Sequence, residues 1–167
     1  RVAVAVNGSC VCLRPVGSPG TEGTAGSDVV HLDGVDLVPF DLSGEWPVVG
    51  VHDAISRAVG RTITPDTPIP ELEELCVAHG LDLPPVLGHG ELIGVLYDAL
   101  VEARTVRPTF YRDFPKSTSP LTRAHRVDAR LAERWDLVAF GVELGTAYTE
   151  LTDPLDQRRR FTEQSLA

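Results

Sequence analysis

The feature that most constrains this chain is a change of hydrophobic period that happens twice. In "SCVCLRP" (9–15) and "DVVHLDGVDLVPFDLS" (28–43) apolar and polar residues alternate, the period of two that turns one face of a strand toward a core. Gly34 is placed to turn the second stretch into a hairpin. Between about 50 and 105 the period lengthens to that of an α-helix. In "VHDAISRAVG" the apolar Val51, Ala54, Ile55, Ala58 and Val59 fall on one helical face, and Gly60 stands where the helix should end. "PELEELCVAHG" puts Leu72, Leu75 and Cys76 inward behind Pro70 in a first turn, and "GELIGVLYDALVEAR" does so with Leu92, Ile93, Leu96, Tyr97 and Leu100. Past 105 the period of two returns, in "RPTFYRDFP" (107–115) and in a hairpin over 133–151. Strands, then three short helices, then strands again predict an α+β fold. We divide it into a β-rich core segment over 1–49, a helical insertion over 50–105, and core strands, a ligand hairpin and a following helix over 106–167.

With 167 residues, 43% of them hydrophobic, the chain can bury one sizeable core. No apolar run approaches the roughly 18 residues that span a bilayer, so a soluble segment is expected. The sequence opens on Arg1 and contains no Met, which leads us to expect part of a longer polypeptide. Its net charge of −9 is unevenly placed: residues 1–100 hold 4 basic and 14 acidic side chains, whereas 101–167 hold 11 and 10. Eight cations fall between Arg104 and Arg134 against three acids. That region either favours a phosphate-bearing ligand or is a mixed solvated surface. "VGSPGTEGTAGSD" (16–28) is a Gly-rich loop, but no Gly-Lys-Ser/Thr follows it and the one lysine is the distant Lys116, which excludes a P-loop. Cys10, Cys12 and Cys76 are too few for a disulfide framework or a zinc site. Cys10 and Cys12 share one strand face and read as buried thiols in a reduced, cytoplasmic setting. His52, His79 and His89 lack ligand-like spacing and are expected to face solvent or cap helix ends.

"WDLVAFGVELGTAYTELTDP" (135–154) raises a different question, because it carries Asp136, Glu143 and Glu150 in a segment that should bury itself. A two-residue turn at Phe140 and Gly141 pairs Glu143 with Val138. Asp136 shares the parity of Val138, so Asp136 and Glu143 point to one face as diagonal neighbours, about 7 Å or less apart at Cβ. Either the two carboxylates share a divalent cation or cationic ligand, or that face is solvent and both simply point into it. Glu150 faces the other way on a regular strand, and Gly145 permits a bulge that would bring it round. The final helix carries start signals: Asp153 as N-cap, Pro154 at the first position, and Asp156 three residues after the cap in a capping-box arrangement.

"RPTFYRDFP", "TSPLTRAHR", "AERWDLVAFG" and above all "VELGTAYTELTDPLDQRRRF" resemble the region preceding motif 3 of class II lysyl-tRNA synthetases. "VPFDLSGEWPVVGVHDAISRAVG" is similar to the stretch leading into their helical insertion, and the likeness covers about residues 36–165. It looks closest to the synthetase-like half of bifunctional lysylphosphatidylglycerol synthases, with "ELGTAY" in place of a sequence that ordinarily carries Asn where Thr146 stands. The resemblance implies a piece of the class II antiparallel-sheet core lying between motifs 2 and 3. It implies that Asp136 and Glu143 hold Mg²⁺ ions bridging the phosphates of ATP. Glu150 would help to recognise the ammonium group of the substrate lysine, Thr146 would stand beside the amino acid, and Tyr148 would be core packing or pocket wall. Motifs 1, 2 and 3 are missing, and with them the arginines that stabilise charge during activation, so no catalytic residue is assigned here and the chain is not expected to act alone. The intact parent would activate lysine with ATP to lysyl-adenylate and pass it to tRNA-Lys. The resemblance further implies a homodimer formed through parts outside this sequence, with any membrane contact made by another domain. Two other readings stand beside it: a related ligase that lysylates a protein side chain, and a synthetase-derived module that binds a partner and catalyses nothing.

Overall fold

Eight strands and four α-helices are found in the computed structural model, which describes residues 3–6, 9–15, 17–18, 29–32, 34–83 and 88–166. The Gly-rich stretch 16–28 lies, apart from Gly17 and Ser18, outside the described residues, as does the side chain of Cys10. Strands β1 (Ala3–Val6), β2 (Ser9–Pro15), β3 (Val30–Leu32) and β4 (Val35–Asp41) form an antiparallel sheet in the order β1-β2-β4-β3. The β3–β4 turn passes through Gly34 at φ 78°, a left-handed conformation that suits glycine.

The second sheet has the order β5-β6-β7-β8, from β5 (Val48–Gly50), β6 (Thr109–Arg112), β7 (Arg134–Ala139) and β8 (Val142–Tyr148). It is mixed where an antiparallel core was expected, because β5 runs parallel to β6, with Val49 opposite Tyr111. Parallel neighbours need a crossover of a dozen or more residues, and the helical segment supplies it. The crossover consists of α1 (Val51–Val59), α2 (Ile69–Ala78) and α3 (His89–Leu100), followed by a 3-10 turn at Glu102–Arg104. Gly60 ends α1 at φ 70°, and Pro68 precedes α2 with Pro70 in its first turn.

The apolar stripes meet as the periodicity requires: Ile55, Leu72, Cys76, Leu92, Ile93 and Leu96 are fully buried and pack with Tyr111 and Val138 of the sheet. Tyr97 makes edge-on ring contacts with Tyr111 and Phe114 at 5.4 and 5.3 Å. A smaller cluster joins the two sheets, with Cys12, Ala139 and Phe140 packed against Phe40 and the Arg14 guanidinium 3.5 Å from the Phe140 ring centre. The last helix, α4 (Pro154–Leu166), starts as its sequence says: Asp153 Oδ1 accepts from the backbone N–H groups of Leu155 at 2.9 Å and Asp156 at 3.2 Å. The expected reciprocal half of a capping box does not form. Asp156 turns its carboxylate to Arg160 and Arg159 instead, which hold its pKa down at about 2. No helix among the described residues is long and apolar enough to cross a membrane.

Candidate active site

The carboxylate hairpin turns through Phe140 at φ 63° and Gly141 at φ 73°, the backbone of a two-residue type I′ turn. A bulky residue at positive φ is strained by roughly 1–3 kcal/mol. The turn is held there by its surroundings: the Phe140 N–H donates to Val106 O at 3.1 Å and the Gly141 N–H to Thr105 O at 2.8 Å.

From this turn Ala139 pairs with Val142 and Val138 with Glu143, as expected. The register then slips, so that Leu137 lies opposite Gly145 and Asp136 opposite Thr146, leaving Leu144 as an extra residue in β8. Side chains alternate along a strand, so one extra residue reverses the parity of everything beyond it. Asp136, Glu143 and Thr146 therefore share one face, and Tyr148 and Glu150 keep the parity of Thr146.

Asp136 is buried, at 1% exposure, and its charge is answered within the chain. Arg134 donates through Nε to Oδ1 at 3.0 Å and through Nη2 to Oδ2 at 2.6 Å, the bidentate arrangement of a strong ion pair. The Thr146 hydroxyl donates to Oδ1 at 2.6 Å. Arg134 also comes within 3.9 Å of the Glu143 carboxylate and lies over the Phe114 ring, 4.4 Å from its centre. The first cation between the two sequence-predicted acids is thus a guanidinium of this chain, two residues from Asp136. Burial raises the pKa values of Asp98 at the end of α3 and Glu102 in the 3-10 turn, with further repulsion from Asp136 on both and from Glu143 on Glu102. Sequence reasoning passed over this pair, although their spacing of four residues was the available signal.

Divalent ions can still be accommodated. An ionised carboxylate has about four lone-pair positions, of which Asp136 uses three, and Glu143 is 41% exposed with only the long Arg134 contact. Among the described residues no group of three or more His, Cys, Asp or Glu could cage a metal. The exposed Glu143 beside the one remaining lone pair of the buried Asp136 fits the way Mg²⁺ is commonly bound, by one or two carboxylates together with substrate phosphates and water.

The other predicted residues divide. Thr146 is in place beside Asp136, with its hydroxyl engaged there. Glu150 lies just past β8, where its backbone bridges to Thr122, and its side chain is exposed. Tyr148 does not pack in the core: it is 44% exposed and lines a cleft of about 580 Å³ with Arg112, Arg134 and His125. The cationic stretch is partly neutralised internally, by Arg126 pairing with Glu133 at 2.8 Å, Arg130 with Asp128 at 2.7 Å, and Arg134 with Asp136. His52 departs furthest from expectation. It is buried instead of facing solvent, and burial together with His89 pulls its pKa down to about 4.

The α+β arrangement, a mixed sheet crossed by a short helical segment with two carboxylates on one face of its terminal hairpin, is consistent with a class II synthetase-like fragment. Residues 18–167 match the family of class II tRNA synthetases (D, K and N), and the chain belongs to that family. Its relatives include the lysylphosphatidylglycerol biosynthesis bifunctional protein LysX of Nocardia farcinica, 53% identical over 166 residues, and that of Mycobacterium tuberculosis, 52% identical over 166 residues. The LysX of Mycolicibacterium vanbaalenii is 51% identical over 169 residues. In each case 99% of this chain is covered, but it spans only 13–14% of the relative's length. The matched family is one of synthetases, enzymes of the ligase type.

Proposed function

We propose that this chain is the stretch of a lysine-tRNA ligase catalytic domain between its second and third motifs, working inside a longer polypeptide that activates lysine with ATP and transfers it to tRNA-Lys. The observation that carries the reading is the slip at Leu144, which gathers Asp136, Glu143 and Thr146 on one sheet face, with Tyr148 on the same side. On this reading the exposed Glu143, with the remaining lone pair of the buried Asp136, would hold magnesium, which would offset the charge of the ATP phosphates. Arg134 fixes the Asp136 carboxylate in one orientation, and Thr146 locks it from the neighbouring strand. Glu150, exposed just past the end of β8, takes the ammonium group of lysine.

The test is a magnesium titration of lysine-dependent ATP–pyrophosphate exchange in the full-length polypeptide that carries the chain. Glu143→Gln keeps the shape and removes one charge, and should raise the Mg²⁺ concentration for half-maximal exchange several-fold. An unchanged titration, or no exchange in the unaltered full-length protein, refutes the assignment.

A further inference from the structure

The eight cations between Arg104 and Arg134 are sorted by the fold. Arg126, Arg130 and Arg134 pair with Glu133, Asp128 and Asp136, and Arg112 lies 3.4 Å from Asp113. Arg104 and Arg107, at the head of the stretch, form no ion pair among the described residues. Together with Arg57, in the last turn of α1, they line an open groove of about 390 Å³ between α1, the end of α3 and β6. No acidic side chain among the described residues lines that groove.

Arg57 is likewise without an acidic partner among the described residues. Asp53, one helical turn before it, bends back to the start of α1, with Oδ2 3.3 Å from where a Gly50 Cβ would be. Glu71 is taken by Arg61 at 3.0 Å. Arg107 donates to Ser43 O at 3.2 Å, a neutral partner. Asp41 feels the Arg107 charge, but its carboxylate is held by the Ser43 N–H and hydroxyl, each at 2.8 Å, and does not line the groove. Three guanidiniums thus border one depression with no counter-charge in its wall, an arrangement that raises the local potential and draws anions.

The floor decides which kind of anion. Ala54, Leu100, Val101 and Tyr111 are each less than a tenth exposed, so the groove offers little apolar area to anchor the side chains of an acidic peptide. The hydroxyls at its base are engaged: Thr105 Oγ1 donates to Val101 O at 2.7 Å and lies 2.8 Å from the Tyr111 hydroxyl, and Thr109 Oγ1 donates to Arg107 O at 3.1 Å. A small free anion would find nothing to enclose it there. The exposed guanidiniums suit instead a polymer laid across the groove, whose phosphates match the planar fork of arginine. We propose that this groove is a contact surface for the phosphate backbone of RNA, with Arg57, Arg104 and Arg107 each taking a phosphate and reading no sequence. The inference takes its polymer from the reading above, but it uses none of the β7–β8 hairpin and can fail on its own.

The test is equilibrium binding of tRNA-Lys to the full-length polypeptide that carries the chain, followed by fluorescence anisotropy across a salt series. Each of Arg57→Gln, Arg104→Gln and Arg107→Gln should flatten the slope of log affinity against log salt by about one, and the triple variant by about two to three, with affinity down roughly tenfold or more. A tRNA of another specificity should lose as much, because backbone contacts carry no sequence information. Arg61→Gln, whose guanidinium belongs to Glu71, is the control and should leave the slope alone. All four arginines are exposed, so the unfolding midpoint should not move. An unaltered salt slope in the triple variant overturns the proposal. So does a lowered unfolding midpoint with RNA affinity retained, which would mean that an acidic segment of the same polypeptide occupies the groove. Absent pyrophosphate exchange in the unaltered protein, beside a salt slope that answers to the arginines, would refute the ligase reading and uphold this one.

Discussion

Acidification should weaken this fold through His52 as soon as the pH falls below the ordinary histidine range. In the unfolded chain the imidazole has an ordinary pKa near 6.5, whereas in the fold burial and the nearby His89 bring it to about 4. Between those values the unfolded state binds the proton and the folded state refuses it, so stability is full above pH 6.5 and falls as the pH drops toward 4. Each pKa unit corresponds to about 1.4 kcal/mol, so the whole window is worth about 3 kcal/mol, of which about 2 kcal/mol is lost by pH 5. The groups that act on His52 from its surroundings are few: His89 and Arg130 oppose its charge, while Asp53 and Asp128 favour it. Asp98 and Glu102 have raised pKa values and contribute with the opposite sign just above their ordinary range, so the raw pH profile is a sum. A difference isolates the histidine. Denaturant unfolding of the wild type and of His52→Gln at pH 7.5 and pH 5 should show the variant less pH-sensitive by about 2 kcal/mol. Equal pH dependence in both, or an NMR titration placing the His52 ring near 6.5, refutes the argument.

Two further outcomes follow from the hairpin. Glu150→Gln should weaken lysine binding by about 1.5–3 kcal/mol, the range for a lost charge-assisted contact, while stability changes within about 0.5 kcal/mol because the side chain is exposed. Separate titrations of lysine and ATP check this, and equal loss of both would mean a collapsed hairpin. Gly141→Ala adds a Cβ at φ 73° and only 2.9 Å from Ala103 O, so it should cost about 2 kcal/mol or more in the unfolding midpoint; a neutral effect would show that the turn is not pinned against the 3-10 segment.

Much of the fold was legible because its signals are local. The three helices, the ends of α1 and α4 and the Phe140–Gly141 turn each follow from residues within a turn or two of one another. What escaped is set by contacts distant in sequence. The parallel pairing of β5 with β6 joins segments about 60 residues apart, and the meeting of His52 with His89 depends on how α1 and α3 pack. Arg134 was counted only as one cation among eight, since a basic stretch does not say which member turns inward.

The slip at Leu144 was closer to legible than these. Glu143 occupies an odd position, while Thr146, Tyr148 and Glu150 occupy even ones, and a regular strand cannot put both sets on one face. If all four line one site, an extra residue must enter between Glu143 and Thr146, and only Leu144 and Gly145 lie there. Gly145 suggested itself because bulges favour glycine. The ladder keeps Gly145 paired with Leu137 and leaves Leu144 out, half exposed, where a one-residue displacement separates no buried contact. The odd–even split among the hairpin's polar positions was therefore the sequence signal for the bulge, and it could be read only by asking which side chains must act together.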